Sequence, residues 1–506
     1  MVTDMQPHMN LAEILRHGRQ NYPNAVALHH GRHHLAYAQI FRDVENIAMH
    51  LVRSGIRPGQ TVAIDIQPPI SHWLVLLALM RIGAVTVSLT SRFGEEIATL
   101  PHISAVVTGA STKHSYDPGL THVHIGADWL REPTDMNAGL PSPEEAATTV
   151  GRIAFTSGTS GRPRAIFLDA DRLRQRLAGT AERTLIDTRS VLWCGLGPDT
   201  AYGFTATLAA FLAGAAIVFS DGGSGSYRGM VDQHVNLILA SPAALDALLR
   251  DAHAGDLPRL RAIAIVAGGR LTKQMRDALR RRICSPVMIA FGSSEAGGIS
   301  LGDSDGLDRH PGHVGLVFED VEVRIVDANG ADLPPGEVGF LKVRSNSLAP
   351  GYLNDGAATQ DCFEDGWFAS GDLAVLSDDR TLTVTGRASD VFNFGGVKVP
   401  AEEIDAAVRE FGTVLDACAV PLPNDVSGAQ FGLVIVGELP PLEDLGGHLR
   451  SRWPTLPRFL VSRAQQIARN PMGKINRSAL GVMVETARLD TPSSEVAAAI
   501  AVVGLA

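Results

Sequence analysis

Between residues 186 and 300, short apolar runs alternate with helix-length segments, and this alternation limits the fold more than any other feature of the chain. The runs fall at 191–194, 215–219, 237–240, 262–266 and 287–290, each continuously apolar rather than alternating with polar residues. Strands buried on both faces have this composition, and crossovers of that length join parallel neighbours. The spacing therefore predicts an α/β domain with a largely parallel sheet and helices on both faces. In such sheets ligands bind beyond the carboxyl ends of the strands. Two loops of small residues are expected there, Ala267-Gly268-Gly269-Arg270 and Phe291-Gly292-Ser293-Ser294-Glu295.

The flanking regions extend this plan. Ile40, Phe41, Val44, Ile47, Ala48 and Leu51 recur at helical spacing over 37–53, and a Gly55 to Gly59 turn leads into a strand at 61–66. After about 313 the pattern changes to alternation at Val321, Val323 and Ile325, with a turn at 327–330, a strand at 338–343 and a hairpin around 377–380. Residues 386–390 read as a short polar connector. Helices at about 401–410 and 442–452 then alternate with strands at about 414–420 and 431–436. The expected organisation is a large N-terminal domain over 1–388, with a β-rich subdomain at about 313–388. A small, mobile α+β lid follows over 389–485, and a tail over 486–506.

Residues 151–166 carry the most specific chemical signal. A β-prone run at 153–156 leads into Thr156-Ser157-Gly158-Thr159-Ser160-Gly161-Arg162-Pro163-Arg164, and a second run follows at 165–168. Small residues let successive backbone N–H groups converge on an anion, the hydroxyls add donors, and Arg164 adds a fixed charge. A Walker A loop needs Lys after its glycines and a helix beyond them, and this chain has neither.

Charge and composition narrow the partners. A formal charge of -10 argues against nucleic acid as the main one, so any basic site must be local. Cys194, Cys284, Cys362 and Cys418 lie far apart, without metal-ligand spacing, and read as buried thiols in a reducing compartment. His29, His30, His33 and His34 flank Gly31-Arg32 with no accompanying carboxylate or Cys, which fits a solvated hairpin better than a metal site. The N-terminus lacks a signal-peptide pattern, and the apolar runs at 73–80 and 208–219 are too short to span a bilayer. A cytoplasmic location is expected.

Five separated stretches, in order, resemble the adenylate-forming enzyme superfamily, which contains acyl- and aryl-CoA synthetases, peptide-synthetase adenylation domains and firefly luciferase. They are the loop Thr156 to Arg164, Phe291 to Glu295, Ser370-Gly371-Asp372-Leu373, Gly386-Arg387 with Gly395-Gly396-Val397-Lys398-Val399, and Asn470-Pro471-Met472-Gly473-Lys474. The resemblance covers roughly positions 30 to 480 and is closest to a stand-alone carboxylic acid–CoA ligase. It implies that ATP and an acid give an acyl-adenylate and pyrophosphate, after which the thiol of coenzyme A takes the acyl group.

By the same resemblance, Thr156, Ser157, Gly158, Thr159, Ser160, Gly161 and Arg164 handle phosphate, Glu295 holds Mg²⁺, and Ser294 touches the α-phosphate. Phe291 and the Gly269-Arg270 backbone frame adenine, Gly292 belongs to the same nucleotide site, Asp372 accepts the ribose hydroxyls, and Arg387 supports the ribose. Lys474 reaches the α-phosphate and carboxylate oxygens. Gly395, Gly396 and Lys398 lie where CoA synthetases bind pantetheine, and Ser389 occupies the hinge. The acid pocket involves Thr200, Ala201, Tyr202, Gly203 and Gly268.

Four positions depart from, or discriminate within, the family. Arg164 replaces the usual Lys, Ala165 the Gly that follows it, and Ser389 the usual Asp or Lys. An ungapped alignment puts Ala201 where amino-acid-activating members keep an ammonium-binding Asp, which implies an acid with an apolar body; Asp199 lies two positions away. Loading of a separate carrier protein and a nucleotide-binding pseudoenzyme are the alternatives. No nucleic-acid partner is expected.

Overall fold

A computed structural model describes residues 10–31, 33–89, 100, 103–110, 116–117, 119–130, 139–156, 164–219, 226–255, 258–394, 397–426, 429–467, 469, 475–489 and 500–503. The chain divides into two compact units. The first comprises residues 1–156, 163–323 and 343–369, and the second 157–162, 324–342 and 370–506.

The first unit is built on two sheets. In one, Val26–His30, Ala216–Phe219, Val191–Cys194, Leu237–Ala240, Ile263–Val266 and Val287–Ser293 are parallel neighbours in that order. Antiparallel strands flank them, His33–Ala36 on one side and Gly297–Asp303 with His313–Val317 on the other. The expected runs at 191–194 and 237–240 are strands over those residues. The second sheet orders Thr121–His124, Ile103–Thr108, Thr61–Asp65, Val85–Ser88 and Gly151–Thr156 in parallel, then returns antiparallel through Arg164–Leu168.

Two helices, Pro69–Ile82 and Ala201–Ala213, are apolar around most of their circumference, and most residues of each are buried. A helix of that composition needs cover on every side. The first packs on Thr61–Asp65 and Val85–Ser88, the second on Val191–Cys194 and Ala216–Phe219. They also meet each other, with the Trp73 ring 6.2 Å from both Phe204 and Phe211. Trp73 is 2 % exposed, so Trp73→Ala is expected to cost ~3–5 kcal/mol through lost burial and the cavity left behind. Thermal melting checks this, and a change in midpoint of under a degree would contradict it.

Three sequence expectations are corrected. Phe291, Gly292 and Ser293 belong to a strand, not a loop: they pair with Ser300, Gly298 and Gly297. A Cβ on Gly292 would lie 2.4 Å from the Gly297 carbonyl, so the small residues that resemble a loop are there to let two strands approach. The polar connector is shorter than expected, because Thr381–Arg387 is a strand and only Ala388–Asp390 turn away from it. Of the four unbonded cysteines, Cys284 and Cys418 are buried, but Cys194 and Cys362 only half-buried. Burial pushes the Cys284 and Cys418 thiols up to about 12 and Cys194 up to about 11.

The four histidines lie on the two-stranded edge hairpin, His29 opposite His34 and His30 opposite His33. The alternating residues of 321–325 are in the strand Val321–Val326, and Gly330 N–H closes the following turn on the Asp327 carbonyl at 3.1 Å.

In the second unit the strand ending at Leu376 pairs antiparallel with Thr381–Arg387. Val391–Phe394 and Val397–Pro400 form a small hairpin. A four-stranded sheet follows in the order Val414–Val426, Ala429–Gly437, Arg458–Ala464, Ile500–Val503. Helices Ala401–Val408 and Leu442–Arg452 cover a core that includes Ile404, Phe431, Leu445, Leu449 and Phe459. Arg477–Leu489 is also helical, and Ile500–Val503 pairs with 459–462, so residues beyond 485 contribute to this unit. Among the described residues no helix is long and apolar enough to cross a membrane.

Candidate active site

Because the strands of the first sheet are parallel, the segments following Val191–Cys194, Ile263–Val266 and Val287–Ser293 emerge at one edge. They supply Thr200 to Gly203, Gly268 to Arg270, and Ser294 with Glu295. Gly268 has φ +79°, and Arg270 is exposed.

Glu295 is 8 % exposed and held from several directions. The Tyr352 hydroxyl donates to Glu295 Oε1 at 2.9 Å, and Ala349 N–H donates to the Glu295 carbonyl at 2.8 Å. Arg176, from the helix Ala170–Thr184, donates through Nη1 to Ser294 O and through Nη2 to Glu295 O, both at 2.8 Å, and to Ser347 O at 2.9 Å. Burial lowers the Arg176 guanidinium to about 10, and the Glu295 charge opposes that shift. Burial and the neighbouring Glu295 charge raise the Tyr352 phenol, so it remains a donor.

The anion loop is placed by its stem. Thr156, buried at the end of its strand, pairs with Arg164 at the start of the next. Ser157, Gly158, Thr159, Ser160 and Gly161 lie outside the described residues. Arg164 Nε is 3.2 Å from Asp355 Oδ2, and its guanidinium lies 5.0 Å from the centroid of the Tyr352 ring.

At the expected acid pocket, Thr200 caps the helix Ala201–Ala213: its hydroxyl accepts from Gly203 N–H at 3.0 Å and donates to Gly197 O at 2.9 Å. Gly203 is required, since a Cβ there would lie 2.5 Å from Gly197 O. Ala201 and Tyr202 are half-buried, and burial raises the Tyr202 phenol. Asp199 is buried, beside the buried Arg152. Arg152 donates to Pro198 O at 2.6 Å and Ser88 Oγ at 2.8 Å, and lies 4.7 Å from the Phe204 centroid. Burial lowers this guanidinium to about 9, and Asp199 opposes the shift.

The second unit carries its own residues. Asp372, 8 % exposed, pairs with Arg387, whose Nε is 2.8 Å from Asp372 Oδ1 and whose Nη1 donates to Ser370 O at 3.1 Å. Ser389 donates to Asp390 Oδ1 at 2.9 Å. The Lys398 backbone is in the strand Val397–Pro400; its side chain, Gly395, Gly396 and Lys474 lie outside the described residues.

Sequence reasoning missed Arg176, Tyr352 and Arg152. Arg176 alternates with Arg172 and Arg174 in a helix of polar appearance, and Tyr352 follows an ordinary Pro350-Gly351 turn. Their importance lies in partners 118, 57 and 46 residues away.

The profile of AMP-binding enzymes matches residues 15–353. The chain belongs to the AMP-binding enzyme family. It is 24% identical over 510 residues to a putative acyl–CoA ligase of Bacillus subtilis, covering 93% of this chain and 98% of that one. It is 26% identical over 511 residues to a salicyl-AMP ligase / salicyl-S-ArCP synthetase of Mycobacterium tuberculosis, covering 93% and 90%. The fold superimposes on O-succinylbenzoate coenzyme A synthetase from Bacillus subtilis in complex with AMP with a TM-score of 0.79 and 20% identity, over 92% of this chain and 97% of that one.

Proposed function

We propose that this AMP-binding enzyme activates a carboxylic acid with ATP, releasing pyrophosphate, and then passes the acyl group to the thiol of coenzyme A. It is an AMP-forming acid–thiol ligase. The observation that carries this reading is Glu295, a buried carboxylate anchored at the edge where the parallel strands end, with a phosphate-loop cation next to the same Tyr352 ring.

The attacking carboxylate is already an anion and needs no general base. The obstacle is its approach to a polyanion, which at ~4 Å costs about 4 kcal/mol per pair of like charges at an effective dielectric of 20. The protein must offset that repulsion and hold the reactants in line. In this reading Arg164 and the donors of the 156–164 loop take the β- and γ-phosphates, Ser294 the α-phosphate, and Lys474 the oxygens where charge builds up. Phe291 and the Gly269-Arg270 backbone frame adenine, and Gly292 belongs to the same nucleotide site. Asp372 accepts the ribose hydroxyls, with Arg387 fixing one of its oxygens.

The residues present suit Mg²⁺. Among the described residues no group of three His, Cys, Asp or Glu side chains gathers, and Glu295 is a buried carboxylate that could face a cation. Mg²⁺ is normally held by one or two carboxylates together with substrate phosphates and water. When bound, it neutralises phosphate charge.

The first turn of Ala201–Ala213 favours an acid with a neutral body. Ala201 brings no charge, the Thr200 hydroxyl is engaged as a cap, and Asp199 is compensated by Arg152. An α-ammonium beside Ala201 would gain no counter-charge from that residue, so an α-amino acid should be used at least ~100-fold less well than its desamino partner. Pyrophosphate exchange into ATP with octanoate and its 2-amino analogue, or phenylpropanoate and phenylalanine, measures the ratio. Equal rates would move attention to Asp199.

The same assay over a panel of aliphatic and aryl acids tests the whole reading: an enzyme that exchanges pyrophosphate with none of them is not an acid-activating ligase. The Mycobacterium relative is named for transfer to a carrier protein, which gives a second candidate acceptor. Supplied acyl-adenylate, offered coenzyme A or a holo-carrier in turn, separates the two. Rotation about Ser389 between the half-reactions, and binding of pantetheine near Gly395, Gly396 and Lys398, belong to the same proposal.

A further inference from the structure

We propose that Tyr352 is a positioning residue that holds Glu295 and Arg164 as one unit, fixing the spacing between the cation-binding carboxylate and the phosphate-loop cation. This rests on the reading of Glu295 as the carboxylate that takes Mg²⁺.

One ring meets both partners through different parts of its surface. The hydroxyl at its rim donates to Glu295 Oε1 at 2.9 Å, and its face lies 5.0 Å from the Arg164 guanidinium. Phenylalanine lacks the first contact, and an aliphatic side chain lacks both. The tyrosine is itself anchored. Its N–H donates to Thr359 Oγ1 at 2.9 Å, and its backbone bridges Ile166, two residues beyond Arg164. Leu353 N–H donates to Ala165 O at 2.7 Å, and the Phe363 ring packs edge-on at 5.3 Å. Arg164 is also tethered by Asp355, which caps the helix Gly356–Cys362.

This arrangement gives a reason for Arg where the resemblance expects Lys. A planar guanidinium stacks on an aromatic face while its N–H groups meet a carboxylate, whereas an ammonium is a compact point charge. The phenol bond to Oε1 orients the carboxylate as outer-shell partners orient metal ligands, and loss of such partners typically weakens metal binding ~10–100-fold.

The test uses the full chain with a nonhydrolysable α,β-methylene ATP analogue. Mn²⁺ binding is followed by electron paramagnetic resonance of the free ion, and metal-free binding of the analogue by calorimetry. Tyr352→Phe keeps the ring and its packing, and is expected to raise the Mn²⁺ dissociation constant roughly 10-fold while leaving metal-free analogue binding unchanged. Tyr352→Leu should weaken metal binding similarly and also weaken metal-free analogue binding about 2- to 5-fold, because Arg164 loses its platform. Wild-type Mn²⁺ affinity in Tyr352→Phe, with Glu295→Gln impaired, overturns the role of Tyr352 and leaves the Glu295 reading standing. Wild-type affinity in Glu295→Gln removes that reading, and the proposal with it.

Discussion

Lys474→Ala is expected to slow acyl-adenylate formation by roughly two to three decades, the usual consequence of removing one positioned donor from a transition state, ~3–4 kcal/mol. Thioester formation from supplied acyl-adenylate should be nearly unaffected. The asymmetry follows from charge. In the first half-reaction a carboxylate approaches a phosphate, and negative charge concentrates between them. In the second, a thiol attacks the carbonyl of the acyl-adenylate and the acyl–oxygen bond to AMP breaks, so no carboxylate has to approach a phosphate. The chain secures both ends of the segment that carries this lysine. Arg469 pairs with Ile475 and reaches Asp416 Oδ2 at 2.6 Å, and Arg477 is anchored in the core of the second unit. Rapid-quench measurement of each half-reaction checks the split. Equal loss in both would assign Lys474 to a general structural role.

The parts of this enzyme that were legible in the sequence owe that to local causes. Val191–Cys194 and Leu237–Ala240 are buried on both faces of a sheet, so composition alone marks them. The paired strands Gly151–Thr156 and Arg164–Leu168 show because two β-prone runs stand close together in the sequence, on either side of a stretch of small residues. Phe291 to Ser293 were hidden because glycine and serine suggest a loop, whereas the tertiary requirement was a close approach to Gly297 and Gly298. Arg152, Arg176 and Tyr352 were hidden for a different reason. Each is an ordinary residue type in an ordinary local context, given its role by carbonyls or carboxylates far along the chain. Periodicity and motif spacing carry no trace of such pairings.

The same reasoning identifies a large expected stability effect at Arg477 in the second unit. Its side chain is 6 % exposed and lies 2.6 Å from Asp405 Oδ2, which is 3 % exposed. It also donates to Ala419 O at 2.7 Å, lies 3.1 Å from Cys418 Sγ and approaches Asp390 Oδ2 at 3.4 Å. Burial opposes its charge, but Asp405 more than offsets that and raises the guanidinium above its ordinary value. Arg477→Met leaves Asp405 charged and buried without its partner, which typically costs 3–5 kcal/mol, roughly the penalty of the stranded charge rather than the net worth of the pair. Asp405→Asn strands the guanidinium and should cost about as much, while the double substitution should cost less than the sum of the two single ones. Chemical denaturation of the four proteins gives the cycle. Strict additivity would mean that the two groups act independently, and that the helix preceding the 414–426 strand and the helix following Lys474 are held by their apolar faces alone.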